Sequence, residues 1–428
     1  MRKHFVALFF YFFVVTIFSA LAQDFVLRKG THFILGKKDY NYIGANYWYG
    51  GLLALTENGK IRLRTELDFL AKHGINNLRI MTVVEGEGVI NGVPRVSPAF
   101  QPGKGVYKNE LLYALDFLLA EMGKRKLKAV LYLSNNWDWT GGFMQYLNWN
   151  GLMPDSIFKR KLTWDEQRDY TSKFYSCAPC ISQQYEVLKK IVGRINSITH
   201  KKYTDDTAIM SWELANEPRP MRPAAIPVYK KWIAATASLI KKIDKHHLVT
   251  TGVEGDMGTE NLQTFSDIHQ DKNIDYATIH IWPKNWGWFK DTSIAKSLNE
   301  IKTNTKNYID RHAHEMTKIN KPLIIEEFGL PRDEHLYSLS AGTGSRNIYY
   351  GFIMNELVKS IHTDGVIRGL NFWGFGGIGR PSHKQLLWMK GEDMLGDPPP
   401  EEQGLNTVFD TDTSTWKIIS DYKNKLAK

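Results

Sequence analysis

Eight short apolar runs alternating with longer stretches of helical periodicity set the tightest limit on how this chain can fold. The runs are Tyr42–Tyr47, Asn76–Met81, Lys128–Ser134, Ala208–Glu217, Leu248–Glu254, Tyr276–Trp282, Pro322–Gly329 and Ile367–Phe375. Helical patterns lie between them at Glu66–His73, Leu111–Lys126, Tyr185–Asn196, Val228–Asp244, Ile294–His312 and Ile348–His362. Strand–helix alternation implies a parallel sheet. Near-continuous apolar strands imply a sheet buried on both faces. Eight of them point to the α/β class and a (β/α)8 TIM barrel forming a single domain. An open doubly wound sheet is the alternative, and it wants a glycine-rich phosphate loop after the first strand. Gly50-Gly51 after Trp48 does not supply one. The wide gap between the third and fourth runs marks a large insertion at about 135–182.

The first 22 residues read as something other than barrel. Arg2 and Lys3 precede the apolar run Phe5–Phe18, and Ala20-Leu21-Ala22 offers small residues for cleavage. That is the three-part pattern of a secretory signal peptide, with the barrel domain over 23–428. An uncleaved anchor is the alternative, but the run is short for a bilayer span. Export, and no stable membrane insertion after cleavage, are therefore expected. The two cysteines, Cys177 and Cys180, form Cys-Ala-Pro-Cys inside the insertion. In an exported chain this favours a local disulfide over free thiols, and two Cys cannot complete a structural zinc site.

Barrel chemistry sits at the C-terminal ends of the strands. Those ends carry Trp48, Arg79, Asn135/Asn136, Asn216-Glu217, Glu254, His280/Trp282, Glu327 and Trp373. A set chosen for packing would be aliphatic. Two carboxylates across a barrel mouth, Glu217 and Glu327, can flank a glycosidic bond, one protonating the leaving oxygen and the other attacking the anomeric carbon. Such roles need one carboxyl neutral and the other ionised near neutral pH. Arg79 can hold Glu327 ionised by a charge-assisted hydrogen bond. Asn216 can bind a sugar 2-OH, and His280 can bond the acid or the substrate. Ion pairs or helix caps are the structural alternative for each Glu taken singly. Glu326 competes with Glu327: adjacent strand residues face opposite ways, so one of the two is expected to face the barrel centre.

Tryptophan supports a sugar ligand independently. Eight of the thirteen, Trp48, Trp137, Trp139, Trp149, Trp282, Trp286, Trp288 and Trp373, fall at or just after strand ends. Indole faces stack on pyranose C–H faces while the N–H stays free for a hydroxyl. Unpaired bases can stack on indoles too. The formal charge of +10, however, comes from Lys and Arg on helix faces such as Lys189-Lys190 and Lys241-Lys242, not interleaved with the indoles, so no nucleic-acid partner is expected. His312 and His314 are two apart on a helical pattern and do not share a face, and no His-Glu-x-x-His spacing exists. His246-His247 falls at a helix end, where it can meet the last carbonyls. No metal and no cofactor are expected.

Trp212-Glu213-Leu214-Ala215-Asn216-Glu217-Pro218-Arg219 and Glu326-Glu327-Phe328-Gly329 resemble the fourth- and seventh-strand signatures of glycoside hydrolase family 5. Gly44–Trp48, Asn77-Leu78-Arg79, Leu133–Trp137, Glu254-Gly255 and Phe372-Trp373 extend the resemblance to its endo-β-1,4-mannanase subfamily of plants, fungi and bacteria. It implies a retaining mechanism with Glu217 as acid/base and Glu327, directly before Phe-Gly, as nucleophile. Arg79, Asn216, His280 and Trp373 would surround them, and the strand-end reading adds Trp282 as a supporting wall. Arg219 and Glu254 would lie toward the leaving-group subsites; from the strand ends, Trp48, Asn136, Trp137 and Trp139 are expected to contact sugar. One position departs from the pattern: many members have His-x-Tyr on the sixth strand, the Tyr hydroxyl contacting the nucleophile, where this chain has His280-Ile281-Trp282. The implied protein is a secreted, monomeric endo-β-1,4-mannanase acting on a β-mannan-type polysaccharide. A β-1,4-glucanase, an exo-β-mannosidase and an inactive glycan-binding barrel are the alternatives.

Overall fold

Eight parallel strands form the frame: β1 (Tyr42–Asn46), β2 (Asn77–Met81), β3 (Lys128–Tyr132), β4 (Ile209–Glu213), β5 (Leu248–Thr250), β6 (Ala277–Ile281), β7 (Leu323–Phe328) and β8 (Ile367–Phe372). The computed structural model describes residues 25–90, 93–290, 294–382 and 386–426, so the leader expected at 1–22 lies outside the described residues. The sheet runs β5-β4-β3-β2-β1-β8-β7-β6, and a parallel bridge between Thr250 and Tyr276 joins its two edges. A closed parallel sheet has no free edge, and every strand residue is buried, which is why the runs read apolar throughout.

Helices α1 (Glu57–Lys72), α2 (Glu110–Lys124), α3 (Ala178–Val192), α4 (Ile226–Ile243), α5 (Leu262–His269), α6 (Ile294–Ile319), α7 (Gly344–His362) and α8 (Thr413–Leu426) follow the strands in turn. Thr56 starts α1 by accepting the Gly59 N–H at 3.0 Å. α5 spans only eight residues, too short to give a clear period, and went unread in the sequence. The N-terminal end of the barrel is sealed by an antiparallel hairpin, Val26–Lys29 with His32–Leu35, whose Val26 and Phe33 pack on Tyr42, Val130, Met210, Tyr276 and Ile324.

Two long excursions leave the C-terminal face. The first joins β3 to α3 and folds into short helices, among them Gly142–Trp149, Asp155–Phe158 and Trp164–Thr171. Cys177 and Cys180 form the expected disulfide where this segment enters α3, with Cα atoms 5.2 Å apart. The second, residues 373–412 between β8 and α8, was not anticipated, since its Gly- and Pro-rich sequence has no period. It is held by Asp397, which accepts from the backbone of Gly404 (2.9 Å) and the hydroxyl of Thr407 (2.6 Å). The Gln403 amide donates to the carbonyls of Asp397, Pro398 and Glu401.

The strand alternation fails at one informative place. Ile279 of β6 pairs with Ile325 of β7, but the next residue, His280, pairs with Glu327. This bulge gives Glu326 no opposite partner, so both Glu326 and Glu327 reach the barrel interior, contrary to the expectation that one would.

Two buried histidines of the outer layer are fixed in one neutral tautomer. His312 donates from Nδ1 to the Tyr308 carbonyl (2.7 Å), and its Nε2 accepts the Asp256 N–H (2.8 Å). His269 donates from Nδ1 to the Phe265 carbonyl (2.7 Å) and accepts the Thr251 hydroxyl on Nε2 (2.9 Å). These bonds give both rings a structural role, and Nε2 of His312 has no lone pair left for a metal. Burial pushes their pKa values down, to about 4 for His312 and about 3 for His269. A depressed folded-state value means the unfolded chain binds protons first. The stability they contribute is complete above pH ~6.5 and is lost as pH falls toward 4, by about 3 kcal/mol for each ring. Thermal melts between pH 7 and 4.5 should show this decline, and His312→Gln should flatten it. A decline of equal slope in that variant would remove His312 from the explanation.

Candidate active site

Arg79, on β2, is wholly buried and sits at the centre of the site. Its guanidinium grips Glu213 of β4 with two bonds, Nε to Oε2 at 2.9 Å and Nη2 to Oε1 at 2.6 Å. Nη2 also donates to Asn216 Oδ1 (2.7 Å), and Nη1 donates to Asn46 Oδ1 (3.2 Å) and to Glu327. Trp282, after β6, gives its indole N–H to the other Glu327 oxygen at 3.0 Å. The ring reaches that far because Gly329 leaves room for it: a Cβ there would stand 2.8 Å from the indole. The tryptophan at the departing sixth-strand position thus makes the donor contact expected of a tyrosine.

Glu217 follows β4 with φ of 51°, in the left-handed region that a non-glycine residue enters at a cost of ~1–3 kcal/mol. The backbone is held there by Glu217 N–H to Gly252 O (2.9 Å) and Asn216 N–H to Ser134 O (2.9 Å). Gly252 is itself required, since a Cβ would strike Ala215 O and the Glu213 carboxyl. The turn brings the Glu217 carboxyl between the Trp137 indole N–H and His280, whose Nδ1 is 2.7 Å from Oε1. Glu217, His280 and Glu327 place their polar atoms within 4.8 Å of one another. Two carboxylates and an imidazole can in general hold a metal. Here the lone pairs of both carboxylates face Trp137, Trp282 and the Arg79 cation, a donor set that suits an anion and opposes a second positive charge.

Burial raises the pKa of Glu217 against the opposing Arg219 charge and the Trp137 bond. Burial, then the neighbouring Glu217 charge, pushes Glu327 up, and Arg79 and the Trp282 N–H pull it back. Two carboxyls this close cannot both ionise cheaply. The guanidinium lies on Glu327, so the charge belongs there and the proton on Glu217. His280 is pushed down to about 4 by burial and is neutral in the ordinary range.

A cleft of about 920 Å3 opens above this pair, lined by Trp137, Trp139, Trp164, Trp282, Trp286 and Trp373 together with Arg219 and Glu254. Arg219 is pinned by Glu254 (Nη2 to Oε1, 2.7 Å) and lies over the faces of Trp137 and Trp164, 5.0 and 5.7 Å from their centroids. Two expected sugar contacts are not on the cleft wall. Trp48 is buried edge-on against Trp139, its N–H given to the Gly396 carbonyl at 3.0 Å, so it offers no stacking face. Asn136 is also buried, and neither end of its amide meets a partner among the described residues. Trp149 and Trp288 pack on Tyr146 and Trp286 instead of facing the cleft.

Three residues that build the site were not read from the sequence. Glu213 ends the apolar run Ile209–Glu213, where a buried carboxylate needs a cation, and Arg79 is that cation. Trp164 sits half exposed at the cleft rim, at the start of an insertion helix whose capping box, Thr163 with Glu166, is readable as Thr-Trp-Asp-Glu. Glu401 enters the cleft from the second excursion, and burial together with Asp397 and Glu217 pushes it up to about 8.

Comparison with known proteins agrees with this geometry. The family described as GH family 5 beta-mannosidase-like matches residues 23–428. A mannan endo-1,4-beta-mannosidase 1 of Arabidopsis thaliana is 30% identical over 83% of this chain and 82% of its own length. One of the same name from Oryza sativa is 28% identical over 94% of this chain and 86% of its own. In solved structures, a glycoside hydrolase family 5 mannosidase from Rhizomucor miehei is 30% identical, covers 95% of this chain and 98% of its own, and superposes with a TM-score of 0.84. An endo-1,4-beta-mannanase from the same organism, 20% identical, covers 94% of this chain and 99% of its own with a TM-score of 0.68 and shares the fold. With a family match along almost the whole chain and paired carboxylates held over a tryptophan-lined cleft, the chain is a glycoside hydrolase and belongs to family 5, in its β-mannosidase-like group.

Proposed function

We propose that the protein is a secreted, retaining endo-β-1,4-mannanase that acts as a single chain on internal bonds of mannan, glucomannan or galactomannan. One observation carries the mechanism: the Glu217 and Glu327 oxygens nearest each other lie within 4.8 Å. Retaining enzymes need ~5–5.5 Å between carboxyls, whereas inversion needs ~6.5–9.5 Å to admit a water. Glu327, charged and aimed by Arg79 and Trp282, attacks the anomeric carbon and forms a glycosyl ester. Glu217 protonates the departing oxygen, then as carboxylate takes a proton from the water that hydrolyses the ester. Asn216 Nδ2, which gives one hydrogen to Asn135 at 3.1 Å, has a second for the sugar 2-OH. Trp137, Trp164 and Arg219 offer flat surfaces to the leaving-group sugars. Export rests on the leader pattern of residues 1–22.

The mannan substrate is supported by the names of the curated relatives, and a variant of the Rhizomucor mannosidase is described in complex with mannosyl-fructose. An exo-acting β-mannosidase is the second reading. It draws on the higher TM-score to that mannosidase and on Pro398, Pro400 and Glu401, which bring the second excursion against the cleft. Purified protein on mannan, glucomannan and cellulose, with product lengths resolved, decides between them. Mixed manno-oligomers are expected. Mannose alone would establish the exo reading, and release of only gluco-oligomers would overturn both.

A further inference from the structure

Beneath the reacting pair lies a third carboxyl for which the mechanism has no use. Glu326 is wholly buried. Arg79 has five N–H bonds to give, and Glu213 takes two while Glu327, Asn46 and Asn216 take one each. Glu326 Oε2 lies 3.5 Å from Arg79 Nε, but that hydrogen is already committed to Glu213. Among the described residues its one ring donor is His280, with Nε2 at 3.4 Å from Oε2, and no amide, hydroxyl or guanidinium among them reaches Oε1. The phenols on the floor beneath, Tyr42 and Tyr276, are kept neutral by burial, and the Tyr276 hydroxyl is engaged with Ser211 at 2.7 Å. An ionised Glu326 would be a third buried anion around the single Arg79 charge, which Glu213 and Glu327 already engage. Arg79 Nε brings the two carboxyls together, with Glu213 Oε2 at 2.9 Å and Glu326 Oε2 at 3.5 Å from the same nitrogen, and two carboxyls this close cannot both ionise cheaply. Glu213 holds the guanidinium with both oxygens, so it is the anion and Glu326 carries the proton.

We propose that Glu326 is a permanently neutral carboxylic acid that acts as a positioning residue: its O–H goes to Glu213, its Oε2 receives the His280 Nε2–H, and Nδ1 of His280 is thereby left as the acceptor that keeps the transferable proton on Glu217. The chain of contacts supports each step. A neutral imidazole has one N–H, and its partner at one nitrogen fixes the role of the other. With Nε2 as donor, Nδ1 presents a lone pair 2.7 Å from Glu217 Oε1, a distance that favours a protonated Glu217 and disfavours an ionised one. The proton stays there until the glycosidic oxygen replaces Nδ1 as its acceptor. Burial raises both Glu213 and Glu326, consistent with one proton between them. Glu327 Oε2 also lies 3.4 Å from His280 Nδ1, but the Glu327 oxygens take their hydrogens from Arg79 and Trp282, so this carboxylate does not compete for the proton.

This inference rests on the assignment of Glu217 as acid, and two substitutions test it. Glu326→Gln keeps a donor for Glu213 and a carbonyl for His280. Glu326→Met removes both at similar volume, and frees His280 to turn to the Nδ1–H tautomer that stabilises ionised Glu217. The Met variant should move the alkaline limb of kcat/KM on manno-oligosaccharide down by about one pH unit and lower the rate at pH 8 about tenfold. On an aryl β-mannoside whose leaving group needs no proton, its loss should be less than about threefold. The Gln variant should keep the limb within about 0.3 unit of wild type. If Gln shifts the limb as Met does, Glu326 acts as an anion and the proposal fails. If Met loses equally on both substrates with the limb unmoved, its role is only structural and the proposal fails. Should the Met variant not fold, the Gln limb decides alone: retained, it supports the neutral acid, and displaced by a unit it overturns it. Failure of the parent reading is separable, because an alkaline limb that survives in Glu217→Gln removes the acid without involving Glu326.

Discussion

Glu327→Gln should lower kcat by about 10⁴-fold or more on mannan and on activated aryl β-mannosides alike, a loss of about 5.5 kcal/mol of transition-state stabilisation. The amide has no charge to give the anomeric carbon, and the first step fails whatever the leaving group. Glu217→Gln should separate the substrates. On mannan, where the departing sugar oxygen needs a proton, the loss should be ~10²–10⁴-fold. On a dinitrophenyl β-mannoside, glycosylation should be nearly spared while the second step slows for want of a base. Azide, which needs no deprotonation, should then restore turnover in Glu217→Gln and yield a β-mannosyl azide. The measurement is steady-state and burst kinetics on both substrate types. If Glu326→Gln abolished activity and Glu327→Gln did not, the two neighbouring carboxyls would have to exchange roles.

How much of this was legible before the fold was known follows from which signals are local. All eight strands lie within the apolar runs, because a sheet buried on both faces needs no alternation and leaves a plain compositional mark. Six of the eight helices were read from their helical period, whereas α5 carries too few residues to show one and α8, Thr413–Leu426, was not read. Strand ends pointed to Arg79, Glu217, His280, Trp282 and Glu327, and these five do converge. The failures arise where a tertiary contact overrides a local rule. The bulge at Glu326 turns a second carboxyl inward, and strict alternation excludes that. Trp48 looked like a cleft tryptophan by position, but Gly396 of the second excursion covers it and takes its N–H. That excursion is stabilised by Asp397 and Gln403 bonding to backbone groups, an organisation with no periodic trace in sequence. The same applies to Trp164, brought to the cleft by a segment folded around its own short helices.

Arg79 is the residue on which most of the site depends, and its removal should be the most costly single change to stability. Arg79→Met leaves Glu213 and Glu327 buried without a counter-charge, a loss of about 3–5 kcal/mol at neutral pH, since breaking one side of a buried pair strands the other. The sign of its pH dependence follows. Without the guanidinium, the folded-state pKa of each carboxyl rises further above its unfolded value near 4.5. The deficit is therefore small below that value, where both states are protonated, and grows as pH rises toward the folded pKa. Denaturant unfolding at pH 5 and pH 8 should show a larger ΔΔG at pH 8, and an equal deficit at both would mean packing, not charge, is what Arg79 supplies. Arg79→Lys isolates the geometry. Lysine keeps the charge and should recover part of the stability, but a single ammonium cannot hold Glu213 with two bonds while also reaching Glu327, Asn46 and Asn216. Glu327 then loses its aim, and kcat should fall about 10²-fold, the size of effect that an ångström of misplacement produces. Recovery of stability without recovery of rate is the outcome that assigns the fork, and not the charge alone, to catalysis.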